Sequence, residues 1–453
     1  MKIVICGCGK IGKTVLSYLV KEEHDVVAID SNPSVVEHVS NSFDVRAILA
    51  NGTEYGVLKE ADVDKADLFI ATTDSDEVNM LVCYLAKKMG ADHTVARIRD
   101  LGHNEDNLAF LRRELGIDLI VNPEKAVAEA IFNILKLPTA SKVETFSSRQ
   151  IELVECYVKK SSKYIDKPLF EVRKSVGEKF LVAVLKRGDE VIIPNGNFVL
   201  KEGDKIGIVA LSRSVNKAFD IVGEQSKPLK NVMIMGGGRI SCYLAEMLLS
   251  ARNGVKMIEK APEVCDKILE NLPESLHLIK GDGMDQTLLS EEGISSTDAF
   301  VALTGRDEDN ILISFYARSK NVPKVVAKVN DDGLASISEK LGLESSLSTK
   351  NITADIVVKY ARALEKSKGS HIETLYSVMG GRAEVLEFRV LEGFKETGIP
   401  VKDLKITKGV LIAGIIRGRT ALIPSGNDVI FPEDKVVIIT SEKGFNSLSD
   451  IFK

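Results

Sequence analysis

Short, unbroken apolar runs occur at 3–6, 26–29, 45–50, 68–72, 94–98 and 119–121, and stretches with helical spacing lie between them at 13–22, 35–42, 77–89 and 107–115. Runs without alternation are what a strand covered on both faces requires, as in a parallel sheet flanked by helices. The helical stretch at 107–115 closes on Gly116, a residue suited to ending a helix. This β-α-β-α order predicts an α/β fold with a Rossmann-like, doubly wound parallel sheet.

A further helical stretch at 124–137 leads to Pro138, and there the texture changes. Apolar runs at 152–158, 180–185, 191–193 and 206–210 are separated by Gly188-Asp189, Asn195-Gly196 and Gly203-Asp204. Short strands divided by turn pairs predict a small α+β domain.

The whole pattern then recurs. Ile3-Val4-Ile5-Cys6-Gly7-Cys8-Gly9 is answered by Val232-Met233-Ile234-Met235-Gly236-Gly237-Gly238, at an offset of 229 residues. The same offset relates Asp30 to Glu259 and Gly52 to Gly281, whereas Asp67 and Asp298, like Arg97 and Lys328, stand 231 apart. The back halves share Pro194-Asn195-Gly196-Asn197 with Pro424-Ser425-Gly426-Asn427, and Asp204-Lys205 with Asp434-Lys435. The second small domain follows a helical stretch at 354–366 and has runs at 385–390, 411–417, 420–423 and 436–440. Four domains are expected, at 1–124, 140–225, 228–346 and 369–453, with a central hinge at 225–229. A duplication of this length makes half of the chain the expected folding unit.

Composition narrows the function classes. A net charge of −5, with acids and bases intermixed, argues against a nucleic-acid or anionic-lipid binder. Apolar runs such as 410–416 fall short of the ~18–20 residues a membrane span needs. The apolar stretch 1–20 is interrupted by glycines, Lys10 and Lys13, so no signal peptide is expected. Six cysteines in 453 residues form no disulfide framework, and Cys6 and Cys8, with no second Cys or His pair nearby, read as small residues rather than metal ligands.

The chemistry lies at the first loop. Gly7-x-Gly9-x-x-Gly12 follows a strand and opens a helix, with Asp30 at the end of the second strand. Gly7 allows a tight turn, Gly9 close approach of a pyrophosphate, and Gly12 close helix–strand packing. The exposed N–H groups of the helix's first turn would face the phosphates, aided by the helix dipole. Asp30 can accept from both ribose hydroxyls of an adenosine and would repel the 2′-phosphate of NADP. The second copy reads Gly236-Gly237-Gly238-Arg239-Ile240-Ser241, with Glu259 for the aspartate, so its loop keeps two glycines and replaces the third. It is either a second nucleotide site or a structural relic.

A second constellation follows the fourth strand: Thr72-Thr73-Asp74-Ser75-Asp76-Glu77-x-Asn79, matched by Leu303-Thr304-Gly305-Arg306-Asp307-Glu308-x-Asn310. Hydroxyls followed by acids cap helices. In a doubly wound fold this strand end also borders the glycine loop, so Thr73 and Asp74 can line the cleft, with Arg97 beside them. Little equips the chain for catalysis. The first small domain has no histidine, Tyr-x-x-x-Lys occurs three times in unrelated contexts, and no GxSxG, P-loop or zinc motif is present.

At these residues the chain resembles the RCK family, the regulators of potassium conductance. The carriers are the glycine unit with Asp30, the stretch Thr73, Ser75, Asp76, Glu77 and Asn79, Ala96-Arg97-Ile98, and a small domain with Pro-x-Gly-Asn and Asp-Lys. Two such pairs cover essentially the whole chain. The resemblance implies NAD or NADH at Gly7, Cys8, Gly9, Lys10, Ile11, Asp30, Thr73, Asp74 and Arg97. It implies a second nucleotide, ATP or ADP among the candidates, at Gly236, Gly237, Gly238, Arg239, Ile240 and Glu259. It also implies a homo-oligomeric ring of RCK domains in the cytoplasm, docked beneath an integral membrane potassium transporter of the Trk or Ktr type. Ser241 departs from the family's third glycine and puts the second site in question. Two other classes stay open on the residues alone: an NAD-dependent oxidoreductase with an unrecognised acid, and a redox-sensing DNA regulator, for which no basic recognition stretch is visible.

Overall fold

A computed structural model of the chain describes all residues except 100–104, 147–149, 178–179, 224–228, 368–371, 443, 444, 446 and 453. Most of the expected hinge at 225–229 thus lies outside the described residues.

The first six strands are β1 (Lys2–Cys6), β2 (Asp25–Asp30), β3 (Arg46–Leu49), β4 (Leu68–Ala71), β5 (His93–Arg97) and β6 (Leu119–Val121). They form one sheet in the order β3-β2-β1-β4-β5-β6, with every pair parallel. Val4, Ile5, Phe69 and Ile70 are fully buried, which is why the central strands read as continuous apolar runs. The chain leaves β1 toward β2 and leaves β4 toward β5, so the loops after β1 and β4 diverge. That opening is the topological switch point where ligands bind in such sheets.

The first small domain has β7 (Lys142–Phe146), β8 (Ile151–Tyr157), β9 (Phe180–Arg187), β10 (Glu190–Ile192) and β11 (Lys205–Leu211), in the antiparallel order β10-β9-β11-β8-β7. A helix, Leu169–Val176, packs against it. The second copy repeats both sheets. Strands β12 (Asn231–Met235), β13 (Gly254–Glu259), β14 (His277–Lys280), β15 (Ala299–Ala302), β16 (Lys324–Lys328) and β17 (Ser346–Leu347) run in the order β14-β13-β12-β15-β16-β17. Strands β18 (Ile372–Val378), β19 (Ala383–Arg389), β20 (Val410–Arg417), β21 (Thr420–Leu422) and β22 (Lys435–Thr440) run in the order β18-β19-β22-β20-β21. The doubly wound and small α+β domains therefore stand as the sequence predicts.

The sequence pattern misses β7 and β18. Both are edge strands, and four of the five β7 residues are only half-buried, so neither offers a long apolar run.

The duplication predicts that each half of the chain folds as a unit, and the structure groups the domains differently. One compact unit takes Met1–Ile131, Met233–Val322 and Val326–Ala361, uniting the two Rossmann-like domains. The other takes Phe132–Val232, Pro323–Val325 and Arg362–Lys453, uniting the two small domains. Within the latter, Ile151, Val184 and Val209 of the first copy share one buried cluster with Val385, Val437 and Ile439 of the second. Each small sheet has an apolar face that a single copy cannot cover, and the other copy covers it.

Candidate functional site

The first loop is shaped by two close approaches. Gly7 donates its N–H to Ile29 O at 2.8 Å and has φ +91°, and a Cβ there would lie 2.5 Å from the Thr73 nitrogen. A Cβ on Gly12 would lie 2.0 Å from the Gly7 carbonyl oxygen, to which the Thr72 hydroxyl already donates at 2.7 Å. The helix Lys10–Lys21 is thereby drawn down onto β1 and β4. Gly9, its N-cap residue, faces open space, with nothing within 4 Å of a built Cβ. No side chain caps this helix and no acid stands in its first turn, so the helix itself supplies nothing to balance the positive end of its dipole. The helix beginning at Asp76, beside it, is capped by Ser75 and carries Asp76 and Glu77 in its first turn. An uncapped, acid-free helix start facing open space suits an anion.

Asp30 stands across that loop. Its Oδ2 accepts the Cys8 N–H at 2.6 Å and its Oδ1 the Asn32 N–H at 2.8 Å. Both oxygens are oriented and retain lone pairs for further donors. Lys10 is exposed and Ile11 half-buried. Burial, and then the Asp30 charge, push the Cys6 and Cys8 thiols up to about 12, which leaves them protonated and unreactive.

At the end of β4, Asn79 is fully buried and organises the turn. Its Oδ1 accepts from the Thr73 N–H at 2.9 Å and the Thr73 hydroxyl at 2.7 Å, and its Nδ2 donates to the carbonyls of Thr73 at 3.1 Å and Arg97 at 2.8 Å. The Thr73 hydroxyl is thus spent within the fold, and Asp74 projects into solvent. Arg97 Nη1 reaches the Thr73 carbonyl at 2.9 Å and Asp74 Oδ1 at 3.5 Å, and its Nε is buried without a partner among the described residues. Thr73, Asp74 and Arg97 are therefore together beside the glycine loop. The sequence motif contains Asn79 but does not single it out as the residue that holds them. Its recurrence as Asn310 is the signal that could.

The second loop repeats the backbone geometry. Gly236 donates to Ile258 O at 2.9 Å with φ +98°, and Glu259 accepts the Gly237 N–H at 2.7 Å and the Ala261 N–H at 2.7 Å. Gly238, the N-cap of the helix Arg239–Ser250, also faces open space, and no acid stands in that first turn. Arg239 is exposed and Ile240 buried. Ser241 is fully buried, with its hydroxyl unpartnered among the described residues, and Leu303 stands where Thr72 does. Asn310 bonds Thr304 and the Lys328 carbonyl as Asn79 bonds Thr73 and Arg97. The cap does not recur, because Arg306 occupies the Ser75 position and makes no side-chain cap. Burial pulls the Lys328 pKa down, against the opposing charges of Asp307 and Glu124.

Family models fit each kind of domain. The TrkA-N domain matches residues 3–123 and 232–349, and the TrkA-C domain matches 153–223 and 385–453. The chain belongs to the TrkA family. The Trk system potassium uptake protein TrkA homolog of Archaeoglobus fulgidus is 31% identical over 453 residues, covering 100% of both chains. The Trk system potassium uptake protein TrkA of Vibrio alginolyticus is 28% identical, covering 99% of this chain and 97% of that one. Among solved structures, the GsuK RCK domain aligns with a TM-score of 0.62 at 18% identity, covering 97% of this chain and 92% of that one. The GsuK channel bound to NAD gives a TM-score of 0.62 at 18% identity, covering 97% of this chain and 76% of that one. These two likenesses establish the RCK fold. The TrkA relatives are named for potassium uptake. Among the described residues, no helix is long and apolar enough to cross a membrane, and no group of three or more His, Cys, Asp or Glu could hold a metal ion.

Proposed function

We propose that this chain is a cytoplasmic regulatory subunit that binds NAD or NADH and gates a membrane potassium transporter of the Trk or Ktr type, on whose inner face it docks. ATP or ADP is the alternative occupant of one or both loops. The observation that carries the reading is the first loop itself, an uncapped helix start open to solvent with the Asp30 carboxylate across it. Phosphates sit over the helix start, the adenosine ribose donates to Asp30, and Arg97 with Thr73 and Asp74 borders the far side of the cleft. The potassium-uptake names of the relatives and the NAD bound by the GsuK channel support the same assignment.

A ligand regulates only through its differential affinity for two conformations, and a tenfold shift requires about 1.4 kcal/mol, within the reach of a few phosphate contacts. Assembly into a ring is part of the proposal. Leu81 and Phe110 are exposed in the first copy, and the residues 231 positions on, Leu312 and Leu341, are exposed in the second. Apolar side chains left outside at matching positions of a duplicated domain suit contact with further RCK domains.

The test is titration of the purified full chain with NAD and NADP. NAD is expected to bind at least tenfold more tightly, because Asp30 repels the 2′-phosphate, and Asp30→Ala should weaken NAD by about 1–3 kcal/mol. Equal curves for the two dinucleotides would remove the role given to Asp30. Co-purification of a polytopic membrane protein, with loss of potassium uptake in the Asp30→Ala strain, tests the partner.

A further inference from the structure

Arg99 follows β5 and is held from several sides. Its backbone N–H donates to Asp76 Oδ2 at 2.8 Å, its Nε to Asp76 Oδ1 at 3.3 Å, and its Nη2 to the Asp74 carbonyl. Its own carbonyl accepts the Asn122 amide at 3.0 Å, and that amide also reaches the Tyr243 hydroxyl at 3.2 Å. Tyr243 lies on the helix Arg239–Ser250, which starts at the second glycine loop. One arginine of the first Rossmann-like domain therefore holds the turn after β4 while standing beside the helix that starts at the second glycine loop.

There it lines a cavity of about 250 Å³ with Gly237, Arg239, Tyr243, Glu246 and Lys267 among its walls. Three cationic side chains face it against one acid. Gly237 and Arg239 flank the uncapped helix start at Gly238, so the cavity joins a charged wall to an anion-binding backbone. The arrangement is not reciprocal. The position 231 residues after Arg99 is Asn330, whose side chain accepts the Thr349 N–H at 2.9 Å and carries no charge.

We propose that Arg99 is a ligand-binding residue of the second loop, and that this loop takes a nucleoside polyphosphate whose outer phosphate is met by the Arg99 guanidinium from the other domain. The inner phosphates lie over the start of the helix Arg239–Ser250, where Ser241 leaves the first two glycines of the loop in place. A fork of N–H donors fits a phosphate oxygen pair, and neither a monophosphate nor an uncharged asparagine offers the same match. The guanidinium is shared, because the residue that meets the second ligand also holds Asp76 and the Asp74 carbonyl in the turn after β4.

This rests on reading the second loop as a nucleotide site, and the experiment separates the two claims. In full-length Asp30→Ala protein, where the first loop is weakened so that the second titrates apart from it, ATP and AMP are titrated calorimetrically with Arg99, with Arg99→Ala and with Arg99→Lys. Arg99→Ala is expected to weaken ATP at least tenfold and AMP less than twofold, and Arg99→Lys to recover only part of the ATP affinity, since an ammonium keeps the charge but not the fork. Undiminished ATP binding by the alanine variant overturns the proposal and leaves the nucleotide reading of the second loop standing. Equal losses for ATP and AMP also overturn it, since a merely structural arginine would not count phosphates. If the Asp30→Ala chain binds neither nucleotide while Glu259→Ala binds both, the second loop is no nucleotide site and the proposal falls with that reading.

Discussion

At the scale of single residues, the loops depend on polar groups that the chain brings together over short and long separations. Asn79 satisfies a backbone N–H, a hydroxyl and two carbonyls, one of them on the neighbouring strand. Asn79→Ala should therefore cost about 1–3 kcal/mol, because the groups it leaves behind are removed from water. The expected outcome is a lower melting temperature together with weaker nucleotide binding, and a shift in neither would show that the turn holds itself. Asp30 is legible from its place after the second strand. Asn79 is visible in the sequence but not interpretable there, since its fourth partner is the Arg97 carbonyl, and strand pairing decides that contact.

At the scale of elements, the two copies solve one packing problem differently. In the first, Gly12 gives the helix its close approach and the Thr72 hydroxyl ties the Gly7 carbonyl. In the second, Ser241 and Leu303 occupy the same positions, and the serine hydroxyl is buried without a partner among the described residues. Gly12→Ser is expected to destabilise the first domain by about 1–3 kcal/mol, the usual penalty of overpacking. Ser241→Ala should leave stability unchanged or raise it by up to about 1 kcal/mol, because it removes a buried polar group left unsatisfied. Denaturant titration of both variants decides the matter, and a large loss for Ser241→Ala would reveal a partner for that hydroxyl. The Asp-Lys recurrence in the small domains has a comparable explanation. Asp204 is buried and accepts from Arg187 Nε and Nη2, both at 2.7 Å, and Asp434 accepts from Arg417 at 2.9 and 2.8 Å.

At the scale of the molecule, domains associate by kind. Glu155 lies at the meeting of the small domains, with its Oε1 accepting the Met379 N–H of the other copy at 2.9 Å and its Oε2 3.1 Å from Lys205 Nζ. Burial by itself would raise the Glu155 pKa, but Lys205, Lys142 and the Met379 N–H outweigh it and hold the carboxyl below its usual range. A carboxylate with a depressed folded-state pKa contributes stability that is fully present above the unfolded value of about 4.3 and lost as pH falls through the folded value. The small-domain unit should accordingly loosen under acid. Glu155→Gln should cost about 1–3 kcal/mol at neutral pH and flatten the acid dependence. Hydrogen exchange of the β8 amides at pH 7 and pH 4 reads both effects, and an equally steep acid loss in the variant would assign the dependence to other carboxylates.

What the sequence determined alone was what is local or repeated. Buried strands of a parallel sheet show as unbroken apolar runs, a tight turn over a neighbouring strand shows as glycine, and a duplication shows as fixed offsets. The tertiary structure decided what depends on surfaces meeting far along the chain. Half-buried edge strands such as β7 carry too little apolar signal to be found before their partner is in place. The grouping of large with large and small with small follows from apolar faces that no single copy can cover. Arg99 is one arginine among many in the sequence, and its place beside the second loop exists only because the two Rossmann-like domains pack together.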